Sequence, residues 1–251
     1  MSNSVMWKFL SAAELRAKAQ EGAIVVLPVA SMEQHGPHLP VGVDTILSEA
    51  VCQAAAERIA GDTPVVVAPT LWCGMAEHHM RFGGTFTFDI PTYRAVLLGL
   101  LQSVARHGFK RVLIVNGHGG NIAALAALLP DLTRATMLEL RVTTYFEQAR
   151  AALAEVLEDQ DGVHHACEAE TSMMLVAAPD SVRRDRLAEA YGPPHSTAGP
   201  PGVVRYRSFG DVTATGVIGD ARRATADKGE KLLAACRAGI AALLRNAQTW
   251  D

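Results

Sequence analysis

Cysteine is scarce and scattered: Cys52, Cys73, Cys167 and Cys236 are the only four, and none forms a CxxC pair. That excludes a zinc knuckle and a disulfide framework, and it makes reduced thiols in a cytoplasm the expectation. Long apolar runs are missing too, since nothing approaches the ~20 residues that a membrane-spanning helix needs. The opening MSNSVMWKFLSAAELR reaches Lys8, Glu14 and Arg16 too soon for the apolar stretch of a signal peptide. Nor is there an excess of one charge. A formal net charge of −3 without a basic cluster argues against a nucleic-acid partner, and no membrane partner is expected.

What is present reads as an ordinary globular chain, 49% hydrophobic and 20% charged over 251 residues. That length suffices to bury a core without staples. With no repeat, linker or low-complexity tract, residues 1–251 are read as one domain. Ser11 and Glu14 form a capping-box pattern that opens a short helix. Apolar runs at Ala23–Ala30, Thr63–Thr70, Arg111–Val115 and Leu138–Phe146 read as strands. Helices are expected from Thr45 to Ala60, from Ile90 to His107, after NGHGGN to Leu129, from Glu147 to Leu157, from Glu168 to Ala177 and from Ala224 to Asn246. Pro193, Pro194, Pro200 and Pro201 make 192–202 a loop. Helices interleaved with short apolar strands predict an α/β fold with a mostly parallel central sheet.

In such sheets ligands gather beyond the carboxyl ends of the strands. Three segments there are rich in metal-capable side chains. In SMEQHGPHLPVGVD, Glu33 and His35 are two apart and share one face of extended chain, and Asp44 returns after a loop of prolines and glycines. His38 is a spare imidazole in that loop. A polar surface loop is the competing reading, but acidic and imidazole groups crowded after a buried strand call for a compensating charge. In NGHGGN, Gly117, Gly119 and Gly120 permit tight turns that leave His118 projecting, with Asn116 and Asn121 fixing the loop. A phosphate-cradling glycine loop is the alternative, although neither GxGxxG nor GxxxxGK[ST] spacing is present. In HHACEAETS, Glu168 and Glu170 cannot share a helix face, so Glu170 is assigned inward and Glu168 to a solvated face. Oxygen and nitrogen ligands without thiolates suit Zn²⁺ or Mn²⁺. Glu33, His35, Asp44, His118 and Glu170 exceed what one tetrahedral catalytic ion needs. Two divalent ions roughly 3.5–4 Å apart would use them all, with Asp44 as the bridge.

These residues and their surroundings resemble the creatininase (creatinine amidohydrolase) family. The likeness runs through LPVASMEQHGPHLPVGVDT, EHHMRFGGTFTF, KRVLIVNGHGGN, HACEAETSMML and GVIGDARRATADKGEKLL, nearly the whole chain. It implies a three-layer α/β/α fold, a divalent metal pair and a homo-oligomer, hexameric in creatininase itself. By the same resemblance Glu33, His35, Asp44 and His118 match metal ligands, with Asp44 bridging, and His165 matches a catalytic histidine. Two departures stand out. Creatininase follows its NGH histidine with a Tyr-Glu pair whose glutamate is a ligand, where this chain has Gly119 and Gly120; Glu170 is the expected replacement. The tryptophan that closes the creatinine pocket has no counterpart in DQDGV before His164. His78 is a candidate substrate contact, and its neighbour His79 is read as structural.

The expected activity is hydrolysis of a non-peptide amide-like C–N bond in a small molecule by metal-activated water, with His165 passing a proton to the leaving nitrogen. Family relatives include deformylases and maturation peptidases, which stay open as alternatives. A non-catalytic module binding metal or phosphate is a rival of another class. A cysteine hydrolase would have to rest on Cys167 beside His165, and a serine hydrolase lacks GxSxG.

Overall fold

The most apolar runs, at 24–29, 65–67 and 112–115, become strands of a parallel sheet buried between two layers, and the more polar stretch Glu139–Thr144 pairs at its edge. In the computed structural model, which describes residues 4–158, 160–193, 202–203 and 205–251, the strands are β1 (Ile24–Val29), β2 (Val65–Val67), β3 (Arg111–Asn116) and β4 (Glu139–Thr144). Their order is β2-β1-β3-β4 and every pairing is parallel, with Ile24 opposite Val65 on one side and Arg111 on the other. Most of the proline-rich loop expected over 192–202 lies outside the described residues.

Side chains alternate across the sheet with the period of two that strands impose. Ile24 and Val26 of β1, with Leu113 and Val115 of β3, face a layer made of α2 (Val43–Ile59), α5 (Tyr145–Gln148), α6 (Arg150–Ala154), α7 (Glu168–Ala177) and α8 (Ala226–Arg245). Val25, Leu27 and Val29, with Val112 and Ile114, face α3 (Ile90–Arg106) and α4 (Ile122–Thr136) through Tyr93, Leu97, Leu101, Leu125 and Leu132. Each such aliphatic side chain contributes roughly 1.5–3 kcal/mol through burial. The α1 helix (Ala12–Gln20) carries the expected capping box between Ser11 and Glu14 and rests Leu15 and Ala19 on the second layer. The result is the predicted α/β/α arrangement.

Several boundaries differ from expectation for identifiable reasons. The α4 helix continues past Leu129 to Thr136 with Pro130 inside it. Pro130 and Ala126 are both exposed, so the Ala126 carbonyl that Pro130 cannot satisfy faces water. β4 stops at Thr144 because Tyr145 and Phe146 turn into α5, burying both rings in the first core. The helix expected over 147–157 is interrupted at Ala149. The α2 helix begins at Val43, so Asp44 sits in its first turn rather than in the loop before it.

This topology fixes where a ligand can go. β1 and β3 are neighbours, yet the helix after β1 lies in one layer and the helix after β3 in the other. The chain therefore diverges at their carboxyl ends and leaves a crevice there, the switch point of an open α/β sheet. Among the described residues, no helix is long and apolar enough to cross a membrane.

Candidate metal centre

Beyond β1, the Glu33 amide donates to the Val41 carbonyl at 3.0 Å, which pins the two ends of the intervening loop and returns Asp44 toward Glu33. His35 Nδ1 donates to the Glu33 carbonyl at 3.1 Å, turning Nε2 toward Asp44. Beyond β3, Asn116 holds both ends of His118, accepting from its amide at 3.1 Å and donating to its carbonyl at 2.7 Å. His118 Nε2 donates to the Met75 carbonyl at 3.1 Å, so Nδ1 faces inward. In each ring the outward nitrogen is committed to a backbone carbonyl, the arrangement that orients histidines toward metals.

The inward atoms converge as two triads. His118 Nδ1 lies 3.0 Å from Glu33 Oε2 and 3.1 Å from Asp44 Oδ2. His35 Nε2 lies 3.2 Å from Asp44 Oδ1 and 3.8 Å from Glu170 Oε1. The two oxygens of Asp44 thus point to different histidines. Ligands held about 2.1 Å from one ion stand about 3.0 Å apart at octahedral angles and about 3.4 Å apart at tetrahedral ones. The His118–Glu33, His118–Asp44 and His35–Asp44 spacings of 3.0, 3.1 and 3.2 Å fall in that range, and the His35–Glu170 spacing of 3.8 Å is longer. Glu33 Oε2, Asp44 Oδ2 and His35 Nε2 are buried and make no hydrogen bond despite these short approaches, as lone pairs meeting at an ion would. Three groups of side chains bring their ligand atoms close enough to hold an ion: Glu33, His35 and Asp44; His35, His165 and Glu170; and Glu33, His79 and His165.

The electrostatics agree with that geometry. Burial pushes the Glu33 carboxyl up, but His118 and His79 outweigh it and hold it well below the carboxylate range. Burial pushes His118 down, and Glu33 with Asp44 raises it to about 10. His35, opposed by burial in the same way, is raised well above the usual histidine value by Asp44 and Glu170. Burial raises Glu170, with Asp44 adding to the effect. Three buried carboxylates, whose ion-pair partners among the described residues are histidines alone, create a demand for positive charge.

Glu170 sits in the first turn of α7, and its Oε2 accepts the Ala166 amide at 2.5 Å. Ala166 takes a left-handed φ of 50° to present that amide. His165, just before it, is buried with Nδ1 3.6 Å from Glu33 Oε1. Burial, helped by His35 and His79, holds its ring well below the ordinary histidine range. His78 is half-buried at the rim and stacks on His118 with ring centroids 5.5 Å apart.

Glu168 overturns its assignment to a solvated face. It is fully buried, and Lys228 of α8 stands 2.5 Å from it. The two glutamates do point apart as the helix requires, but both directions lead inward, one to the metal cluster and one to α8. His79, read as structural, lies against the cluster, with its Nε2 3.1 Å from Glu33 Oε1. A usable signal existed: Ala76 and His79 are three apart, the eclipsed spacing of the 3-10 turn Glu77–Phe82, and Ala76 is the apolar, inward member. Gln34 was also missed. It is buried between His79 and His165. His38 Nε2 lies 2.7 Å from the Thr171 hydroxyl.

Position 120 shows why no carboxylate is supplied there. A Cβ on Gly120 would come within 2.3 Å of the Met75 carbonyl oxygen and 2.4 Å of His118 Nε2. The Met75 carbonyl and the rings of His118 and His78 occupy the space that a side chain would need.

An open parallel α/β sheet with a buried carboxylate–imidazole cluster at its switch point defines the class: an α/β protein equipped to bind divalent metal. The family follows from comparison with known proteins. The family model described as "Creatininase: Creatinine amidohydrolase" matches residues 8–244, and the chain belongs to this hydrolase family. It is 30% identical over 98% of its length to the creatinine amidohydrolase of Pseudomonas putida, covering 98% of that protein. It is 33% identical over 84% of its length to a mycofactocin precursor peptide peptidase of Mycobacterium ulcerans (strain Agy99), covering 80% of it. Crystalline creatinine amidohydrolase superposes with a TM-score of 0.85 at 28% identity, covering 99% of both chains. A manganese form of creatininase and a Zn–Zn form of a creatininase mutant each match with a TM-score of 0.81 over 99% of both chains, at 27% and 28% identity.

Proposed function

We propose that this protein is a binuclear metal-dependent amidohydrolase that cleaves a C–N bond of a small cyclic or open amide with water. The division of the Asp44 carboxylate between the His118 and His35 triads carries this reading. Glu33, Asp44 and His118 would hold one Zn²⁺ or Mn²⁺, and His35, Asp44 and Glu170 the second, with Glu170 taking the place of the glutamate that Gly120 cannot supply. When bound, such a pair lowers the pKa of water to give hydroxide near neutral pH and polarises the substrate carbonyl.

The protein's own residues do the rest. Water adds to the carbonyl carbon and the C–N bond breaks, so a proton must travel from the water to the departing nitrogen. His165 takes and returns that proton at Nδ1, the ring atom facing Glu33, a role suited to an imidazole kept neutral by burial. Glu170, fixed by the Ala166 amide, keeps its second oxygen toward the centre. His78, stacked on His118 at the rim, contacts the substrate as it enters. The buried, unpaired state of all four thiols supports a reducing, cytoplasmic setting. A homo-oligomer is proposed from the family likeness.

A second reading has its own support: the relatives named as mycofactocin precursor peptide peptidases, at 33–34% identity over 84% of this chain, favour a peptide amide. The deciding experiment is a hydrolysis screen of Zn²⁺- and Mn²⁺-reconstituted protein over lactams, cyclic ureas including creatinine, formamides and short peptides, with a chelated control. Metal-dependent turnover of a cyclic or formyl amide is expected. Turnover confined to peptides would move the assignment to the second reading, and metal-loaded protein inert toward every class would contradict both.

A further inference from the structure

Gln34 lies between two histidines of the site, and its hydrogen bonds can be assigned without choice. The Gly36 amide donates to Gln34 Oε1 at 2.9 Å, and an amide N–H can only donate, so the orientation of the side-chain amide is fixed. Nε2 then has two protons and three neighbours: the Gly216 carbonyl at 3.1 Å, His79 Nδ1 at 3.0 Å and His165 Nε2 at 2.9 Å. His165 Nε2 also lies 2.8 Å from the Gln34 backbone carbonyl, which can only accept. His165 must therefore carry its proton on Nε2 and give it to that carbonyl, since a lone pair there would face another lone pair. With that ring nitrogen already protonated, the two Gln34 protons go to the Gly216 carbonyl and His79 Nδ1. His79 then bears its own proton on Nε2, directed at Glu33 Oε1 3.1 Å away. Every buried donor in the set finds an acceptor in this assignment.

The approach of Gly216 completes the clamp. Its φ of +81° is left-handed, and a Cβ there would meet Gln34 Oε1 at 2.0 Å, so only glycine lets the chain close over the amide.

We infer that Gln34 is a positioning residue that sets both tautomers, leaving the His165 Nδ1 lone pair facing the centre and making His79 a proton donor to Glu33. Glu33 is thereby held through Oε1, with Oε2 left for His118 and the cation. The tautomer assignment stands on hydrogen bonding alone; its catalytic consequence rests on the proposed hydrolysis.

The test is ¹⁵N NMR of ring-labelled histidines in the metal-free protein, with His79→Gln and His165→Gln as assignment controls. Wild type should show Nε2–H on both rings. Gln34→Glu keeps the acceptor for Gly36 and removes the donor, so the His79 ring should gain a proton on Nδ1 while His165 keeps Nε2–H. In the metal-loaded variant kcat should fall roughly 10–100-fold, as for loss of an outer-shell partner, with KM little changed. A wild-type His165 protonated on Nδ1 alone would overturn the inference without any variant having to fold. So would an unaltered His79 ring in Gln34→Glu. Correct tautomers in a protein that hydrolyses nothing would instead count against the proposed activity.

Discussion

The first turn of α7 buries two carboxylates two residues apart, and they are compensated in opposite ways. Glu168 meets Lys228 at 2.5 Å and accepts the Glu158 amide at 3.2 Å, and the lysine also reaches Glu158 at 2.6 Å and the Arg223 carbonyl at 2.9 Å. That charge is neutralised permanently by a covalent part of the chain, and it locks α7 to α8. Glu170 faces His35 and Asp44, with no lysine or arginine paired to it among the described residues, in a cluster where Glu33 Oε2, His35 Nε2 and Asp44 Oδ2 make no hydrogen bond. Its compensation is exchangeable. A buried charge with a fixed partner is architecture, whereas one left to titratable rings marks a place where something binds.

Removing the bridge should have the largest effect. Asp44→Asn is expected to lower kcat/KM roughly a thousand-fold, about 4 kcal/mol of lost transition-state stabilisation, and to deplete more metal than Glu33→Gln does. Elemental analysis beside steady-state kinetics checks both halves. Next, Lys228→Met should destabilise the metal-free protein by about 3 kcal/mol in urea unfolding, because the Glu168 charge stays buried without its partner. Glu170→Gln, on the same helical turn, should leave metal-free stability unchanged or raise it by about 1 kcal/mol, since it removes one charge from an uncompensated group. Equal losses from the two would erase the contrast. Gly120→Ala should cost about 1–3 kcal/mol through the clash with the Met75 carbonyl, read by thermal unfolding. The smallest effect belongs to the rim: His78→Ala should raise KM roughly 5-fold, about 1 kcal/mol, with kcat nearly unaltered.

Sequence reading reached the residues whose chemistry is set locally. Glu33 and His35 announce themselves by their alternate spacing after a buried strand, and His118 by the glycines around it. The capping box and all four central strands follow from patterns a few residues long. What stayed hidden depends on distant chain. Lys228 lies 60 residues beyond Glu168, so nothing in HHACEAETS could reveal that the second glutamate has a buried partner. Gln34 points away from Glu33 and His35 in extended chain, and only the folding of the 77–82 turn and of residues 165 and 216 around it turns that direction into an inward one. The helix expected to end at Leu129 runs on through Pro130, which is tolerated because the carbonyl it strands is at the surface.

The central claim is that the cluster holds two cations through a shared Asp44. Metal content of the purified, dialysed protein after reconstitution with Zn²⁺ or Mn²⁺ tests it most directly, with Glu170→Gln measured alongside. Two equivalents per chain in wild type, falling to one in the variant, is the expected result. Wild-type protein that retains no divalent metal, or binds one equivalent with or without the Glu170 carboxylate, would contradict the account.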